Sequence, residues 1–309
     1  MKKRLPNKEF RKLVPKLREK EFYTPQEMRP INWVKYTSAQ VNEAEFILTS
    51  IRDLVDSIHR VQPKRVGRPS TNPNELAKAV LTSEFLQTTE RTSEGWLRIL
   101  SPYLMIKSRL DDRTIGRAYS NFEVLYILKQ VFEKTRNSDG KLCGDGTGIE
   151  TSRRQNYESE KKSGEYMTSI VDSREIVQAF QMSKSEKASM KEMIKEVKGV
   201  SIRLDAGFVD RKLTKEIAEL GMKPYIFPKK NLKLNGSLAW KKMYLELYNS
   251  VQAWLIEYHQ RSHSESFHSS FKRKNKIMTK IDPASKLAQL TSRIIIHNLR
   301  KISYYSIRL

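Results

Sequence analysis

A single cysteine, Cys143, stands in a chain of 309 residues. It excludes an intramolecular disulfide framework and a cysteine-based zinc site, and the 5 scattered histidines supply no such site either. No apolar run approaches the roughly 18 residues that a membrane-spanning helix needs. The opening stretch MKKRLPNKEFRKLVPKLREKEF has no apolar core and no small-residue cleavage site, so no signal peptide is expected. No glycine-rich phosphate loop precedes a helix pattern, which counts against a nucleotide-cofactor enzyme. Internal repeats and low-complexity segments are also missing. These absences point to a reducing cytoplasm or the nucleoid within it, with no role for a membrane.

Acid is the scarce charge. There are 58 Lys plus Arg against 35 Asp plus Glu, for a formal net charge of +23. Such a field favours polyanions, nucleic acid first and an anionic lipid surface second. The length allows two domains, and 38% hydrophobic residues suffice for a packed core.

Residues 1–40 carry four prolines and no sustained periodicity, and nine Lys or Arg lie between Lys2 and Lys20. They read as a basic, partly extended arm that is either solvated or laid along DNA. From 38 to 60, Phe46, Ile47, Ile51, Leu54, Val55 and Ile58 recur at helical spacing. The segment QPKRVGRPSTNPNE then breaks the pattern as a linker over 61–73. Its Gly-Arg-Pro core, with Arg65 and Arg68, resembles half of an AT-hook for the minor groove, although Val66 stands where the hook has arginine; plain linker is the other reading.

Residues 74–136 read as three helices, the second with Ser93 as N-cap and the third capped by Asp111 or Asp112. The polar, basic start of the third suggests a helix-turn-helix in which Arg113, Thr114, Arg117 and Tyr119 face base edges. An ordinary helical bundle fits the same pattern. From 140 the rhythm changes to strands: KLCGDGTGI, YMTSIVD, EIVQAFQMS, then a helix, the strand VSIRLDAGF, another helix, and KPYIFP. A long helix over WKKMYLELYNSVQAWLIEYHQRSHSESFHSSFKRK and a closing helix, ASKLAQLTSRIIIHNLRKISYY, complete an α/β mixed sheet with helices on its faces.

Asp145 and Asp205 each end an apolar strand beside glycine. That is a metal-site arrangement, and equally an ordinary turn arrangement. On a continuous helix at about 100° per residue, Tyr258, Arg261, Glu265 and Lys272 fall within an arc of about 60°. The stripe is either a surface ion pair between Arg261 and Glu265 or a working face, with Glu265 on a cation and Tyr258, Arg261 and Lys272 on phosphates. His263 and His268 fall at scattered angles and read as structural or phosphate-contacting. Glu150 and Asp172 are candidate spare ligands.

The spacing Y-x2-R-x3-E-x6-K, met by Tyr258, Arg261, Glu265 and Lys272, resembles the signature of the IS-four-type insertion-sequence transposases, a branch of the DDE transposases. Asp145 in DGTGI and Asp205 in RLDAGF resemble the family's two strand-end aspartates. The resemblance runs from about 140 to 300 and implies an RNase H-like fold. It implies that Asp145, Asp205 and Glu265 are catalytic and hold two Mg²⁺ ions, with Mn²⁺ as a substitute, Asp145 bridging the two. It further implies cleavage of the element's ends and joining of the 3′-OH to target DNA, with double-stranded DNA as partner and a homodimer pairing two ends. The expected organisation is a basic arm over 1–40, a helical DNA-binding domain over 41–136 and an RNase H-like catalytic domain over 140–309. Only 59 residues separate Asp205 from Glu265, which leaves little room for the β-strand insertion of some relatives. Trp240 and Trp254 in that interval read as buried core. An inactive helix-turn-helix regulator and an RNase H-like nuclease that does not join ends are the competing functions.

Overall fold

The structure, a computed structural model, describes residues 5–19, 32–59, 71–154 and 162–307. The readings made for Arg65, Arg68 and most of the 61–73 linker lie outside the described residues. The chain divides into two compact units drawn from interleaved stretches. The first gathers the described residues of Met1–Pro30, Ser138–Gly148 and Tyr166–Ser270, and the second those of Ile31–Asn137, Ile149–Glu165 and Phe271–Leu309.

The sheet is built from β1 (Lys141–Arg154), β2 (Lys162–Val171), β3 (Val177–Met182), β4 (Ser201–Leu204) and β5 (Lys223–Ile226), in the order β3-β2-β1-β4-β5. The strands β1, β4 and β5 run parallel, while β2 and β3 are antiparallel. Every residue of β4 is buried, as a central parallel strand covered on both faces must be. The result is a mixed sheet flanked by helices, consistent with an RNase H-like fold.

Helices cover this sheet through the spacing of their apolar residues. Between β4 and β5 runs α9 (Arg211–Glu219), which buries Leu213 and Ile217 one turn apart. The N-terminal end of α8 (Glu186–Met193) is capped by Ser185, and the helix buries Met190 and Met193. In α10 (Leu238–Asn249), Trp240, Met243, Tyr244 and Leu247 form an i, i+3, i+4, i+7 face. In α11 (Val251–His259), Trp254, Leu255 and Tyr258 are buried. Trp240 and Trp254 are therefore core residues, each 3% exposed. A buried side chain of this size contributes roughly 1.5–3 kcal/mol or more through the hydrophobic effect.

Two expectations change here. The basic arm is not extended throughout: Asn7–Lys16 form α1, whose Phe10 and Val14 are buried in the core of the first unit. Phe10 meets the Tyr244 ring edge-on at 5.7 Å. The lysines and arginines had masked this short apolar face. The long helix expected up to Lys274 is broken into α10, α11 and α12 (Ser262–Lys274). No proline or glycine marks the second break. Instead, Arg261, His263 and Ser264 donate their N–H groups three residues back, to Tyr258, Gln260 and Arg261, and these 3₁₀-type bonds tighten the chain between α11 and α12.

The second unit holds the far end of β1 and the start of β2 but is mostly helical: α2 (Trp33–Val41), α3 (Glu43–Asp56), α4 (Pro73–Leu86), α5 (Glu90–Leu104), α6 (Asp112–Ala118), α7 (Phe122–Thr135) and the closing α13 (Pro283–Ser306). Buried residues lie on every side of α4, so its polar side chains need partners. Lys78 Nζ bonds Asp56 and the Leu104 carbonyl, both at 2.8 Å. Glu84 accepts from Arg293 Nε at 2.7 Å, Gln289 Nε2 at 3.0 Å and the Tyr119 hydroxyl at 2.8 Å. Tyr119 is thus committed to the interior and does not face solvent with Arg113 and Arg117. The N-cap of α5 is Thr89 rather than Ser93, which sits buried inside the helix and bonds the Thr88 hydroxyl. The third expected helix is two, Asp111 capping α6 and Asn121 capping α7. Among the described residues, no helix is long and apolar enough to cross a membrane.

Candidate active site

Parallel pairing places Asp145 and Asp205 side by side, but only Asp205 stands at a strand end: β1 continues past Asp145 to Arg154, so the expectation that Asp145 ends its strand is corrected. Gly144 of β1 is in register with Leu204 of β4, and Asp145 and Asp205 are the next residues along each chain. Close packing explains Gly144: a Cβ there would fall 2.6 Å from Met190 Cε and 2.7 Å from Leu204 Cδ2. Asp145 Oδ1 accepts the Gly146 N–H at 2.9 Å, and Asp205 Oδ1 accepts the Gly207 N–H at 2.7 Å. Asp205 thereby caps the 3₁₀ turn Ala206–Phe208. Both aspartates are half-buried.

The turn between α11 and α12 brings a third acid and a base to the same place. Arg261 Nη1 lies 3.2 Å from Asp145 Oδ2, and its Nη2 pairs with Glu265 Oε1. The i,i+4 ion pair expected from the sequence is present, and the same guanidinium also reaches Asp145. Glu265 is exposed in the first turn of α12. Tyr258, in the last turn of α11, is 8% exposed and stacks on Trp254 with centroids 5.4 Å apart and planes 13° off parallel. The break between α11 and α12 means that Tyr258, Arg261 and Glu265 do not share one helical stripe. Lys272 is exposed in the last turn of α12, within the second unit.

The electrostatics confirm which groups feel one another. Burial pushes the Asp145 carboxyl up to about 6; the Gly146 N–H and the Arg261 guanidinium pull it down, and the Asp205 and Glu265 charges raise it again. Burial likewise raises Tyr258, opposed by the neighbouring Arg261 and assisted by Asp205 and Glu265. Among the described residues, no group of three or more His, Cys, Asp or Glu stands close enough to hold a metal ion as it is. The donor chemistry nonetheless suits a hard divalent cation: three carboxylates, two of them raising the proton affinity of the third, with Arg261 as counter-charge to Asp145 and Glu265.

Two residues beside Asp145 had no signal in the sequence. Tyr166 on β2 donates its hydroxyl to Glu186, the first residue of α8, and is pushed up to about 12 by that bond, by burial and by the Glu186, Asp145 and Asp205 charges. A Cβ at Gly146 would collide with the Glu186 carboxylate and approach Tyr166 Cε1 to 2.9 Å, so glycine admits this pair beside Asp145. Of the spare ligands, Asp172 is corrected: it is fully buried, accepts the Arg174 and Ile176 N–H groups at 2.9 Å each, and pairs with the Arg174 guanidinium. It holds the β2–β3 turn. Glu150 is exposed on β1 in the second unit. His268 is buried, with Nε2 2.9 Å from the Ser169 hydroxyl, a structural position. Arg113 and Arg117 are exposed one turn apart on α6, and Thr114 is half-buried.

The family model for the transposase DDE domain matches residues 136–299, more than half of the chain. No curated protein and no solved structure matches the chain.

Proposed function

The chain belongs to the transposase DDE-domain family, and from that premise we propose that it cuts the ends of an insertion sequence and joins each 3′-OH to target DNA. The observation that carries this reading is the meeting of Asp145, Glu265 and Arg261 where β1 passes the end of β4, with Asp205 in the same electrostatic field. In this reading Asp145, Asp205 and Glu265 are the catalytic carboxylates and hold divalent cations, Mg²⁺ with Mn²⁺ as a substitute. When bound, the cations supply an activated attacking hydroxyl and a stabilised leaving oxygen at one phosphodiester.

The chain's own residues do the rest. Arg261, with its planar fork of donors, turns from its carboxylate partners toward a phosphate oxygen as DNA enters. The Tyr258 hydroxyl and the Lys272 ammonium bind further along the backbone. The acids are few because each additional uncompensated carboxylate would repel the phosphate. Arg113, Thr114 and Arg117 of α6 read the element's end, and the net charge of +23 supplies salt-sensitive affinity for duplex DNA. We assign end recognition to residues 41–136 and chemistry to 140–309, in a homodimer that pairs two ends at the nucleoid.

The test is an Mg²⁺-dependent cleavage and strand-transfer assay on a duplex carrying the inverted repeats that flank the gene. Cleaved ends with a free 3′-OH, then covalently joined to a target plasmid, are expected. Cleavage without joining would identify a nuclease, and tight binding without cleavage in either cation would identify a DNA-binding regulator.

A further inference from the structure

Arg203 is 1% exposed on β4, a strand buried along its whole length. A guanidinium in such a place loses its hydration, and buried ion pairs replaced by packed hydrophobic residues frequently leave stability unchanged or improved. Stability alone therefore does not explain an arginine here. Its hydrogen bonds show what it reaches. Arg203 Nε donates to the Glu257 carbonyl oxygen at 3.0 Å, Nη2 to Glu257 Oε2 at 2.6 Å, and Nη1 to Ser201 Oγ at 2.8 Å. The guanidinium also lies over the Tyr225 ring, 5.4 Å from its centroid. Two of these three hydrogen bonds end on one residue of α11, immediately before Tyr258.

The neighbouring strand does the same from its own side. Cys143 is the register partner of Arg203, and its thiol donates to the Gln260 carbonyl oxygen at 3.2 Å. Each donor stands two residues before a candidate catalytic aspartate. Each grips a backbone carbonyl, one on either side of Tyr258, where α11 gives way to the turn that carries Arg261. In that turn Arg261, His263 and Ser264 donate their N–H groups three residues back, a departure from the regular helical ladder that leaves its direction to be set by what holds it.

We propose that Arg203, assisted by Cys143, is a positioning residue for the transposition chemistry: it holds the α11–α12 turn against β1 and β4 and so sets the reach of Arg261 and Glu265 to Asp145, beside Asp205. The inference rests on the reading of those carboxylates as the cation site. An uncharged side chain of similar length fills the space but leaves the turn free to drift, and small displacements of oxygen ligands weaken cation binding before they unfold anything.

The experiment compares wild type with Arg203→Met, Arg203→Lys, Glu257→Gln and Asp145→Ala in the full chain. It measures thermal melting, binding of a fluorescein-labelled inverted-repeat duplex without metal, Mn²⁺ binding by electron paramagnetic resonance titration, and the Mg²⁺ dependence of end cleavage. Arg203→Met is expected to melt cooperatively and bind duplex as wild type does. It should bind Mn²⁺ about tenfold more weakly and cleave at least about tenfold more slowly, the loss lying in kcat and in the Mg²⁺ requirement rather than in KM for DNA. Arg203→Lys should recover part of both. A folded Arg203→Met that binds Mn²⁺ and cleaves within about twofold of wild type overturns the proposal. If Arg203→Met does not fold, Glu257→Gln decides, because it changes a partly exposed carboxylate: severalfold weaker Mn²⁺ binding supports the lock, and unchanged binding overturns it. If wild type and Asp145→Ala bind Mn²⁺ alike, the cation-site reading itself has failed and the proposal goes with it. If Asp145→Ala loses Mn²⁺ and Arg203→Met keeps it, only the positioning role has failed.

Discussion

Arg261 and Asp145 are 116 residues apart in sequence, yet Nη1 of the one lies 3.2 Å from Oδ2 of the other. The second arm of the same guanidinium pairs with Glu265. One base therefore neutralises two of the three candidate cation ligands. Arg261→Ala removes that counter-charge, so Mn²⁺ binding to the DNA-free protein should tighten. End cleavage should nonetheless fall on the order of 10²–10³-fold, because a preorganised donor to the phosphate is gone. Arg261→Lys keeps the charge without the two-armed geometry and should fall between. Cation titration and single-turnover cleavage on the same preparations check both halves; weaker cation binding in Arg261→Ala would count against the counter-charge role.

The three carboxylates are expected to be individually indispensable. Asp145→Ala, Asp205→Ala and Glu265→Ala should each reduce cleavage and strand transfer to background in Mg²⁺ and in Mn²⁺, while leaving duplex binding in metal-free buffer near the wild-type level. A variant that keeps full activity removes its residue from the site.

The proposed contact of α6 with DNA carries a salt signature. Arg113→Ala and Arg117→Ala should each lower the slope of log affinity against log salt by about one if the side chain neutralises a phosphate. If it reads a base edge instead, the loss should be about 1–3 kcal/mol and confined to the correct repeat sequence. Fluorescence anisotropy with specific and scrambled duplexes over a salt series separates the two outcomes; unchanged affinity in both variants would exclude α6 from the interface.

Asp210 links the fold of the first unit to pH. It caps α9, accepting the Lys212 N–H at 2.7 Å and the Leu213 N–H at 3.0 Å, and pairs with Lys191 at 3.1 Å. Burial raises its pKa, but the Leu213 and Lys212 N–H groups and the Lys191 ammonium outweigh burial, and the net shift is downward. A carboxylate depressed in the folded state stabilises it above the unfolded value of about 3.9, and that contribution disappears as pH falls through the folded value. Asp210→Ala should cost about 1 kcal/mol at pH 7, the usual loss for an N-cap. The gap from wild type should narrow below about pH 4. Denaturant melts at several pH values measure it, and a gap that widened toward acid would contradict the assignment.

Local pattern and tertiary packing contributed different things. The helix cap at Asp111, the change from helix to strand near 140 and the apolar run of β4 are all written in neighbouring residues, whereas the start of α7 at Asn121 lies inside what reads as one helix. Side-chain period and orphan N–H groups are local physics. The spacing of Tyr258, Arg261 and Glu265 and the glycines beside Asp145 and Asp205 marked the candidate site for the same reason. The break between α11 and α12 was not legible, since no proline or glycine announces it and its 3₁₀ bonds depend on how the turn is held. Phe10 and Val14 of α1 looked like part of a charged arm, and only the groove beside Tyr244 makes them core.

The sequence by itself determined which residues are candidates for the chemistry and roughly which elements bear them. Tertiary structure alone decided that Arg261 stands between Asp145 and Glu265, that Tyr166 and Glu186 border Gly146, and that Arg203 reaches the Glu257 carbonyl. Each of these contacts joins residues on different elements, and a contact of that kind is set by the register of β1 on β4 and the seating of α11 on the sheet. A one-dimensional pattern records which face a residue occupies, whereas the partner it meets there is fixed by packing.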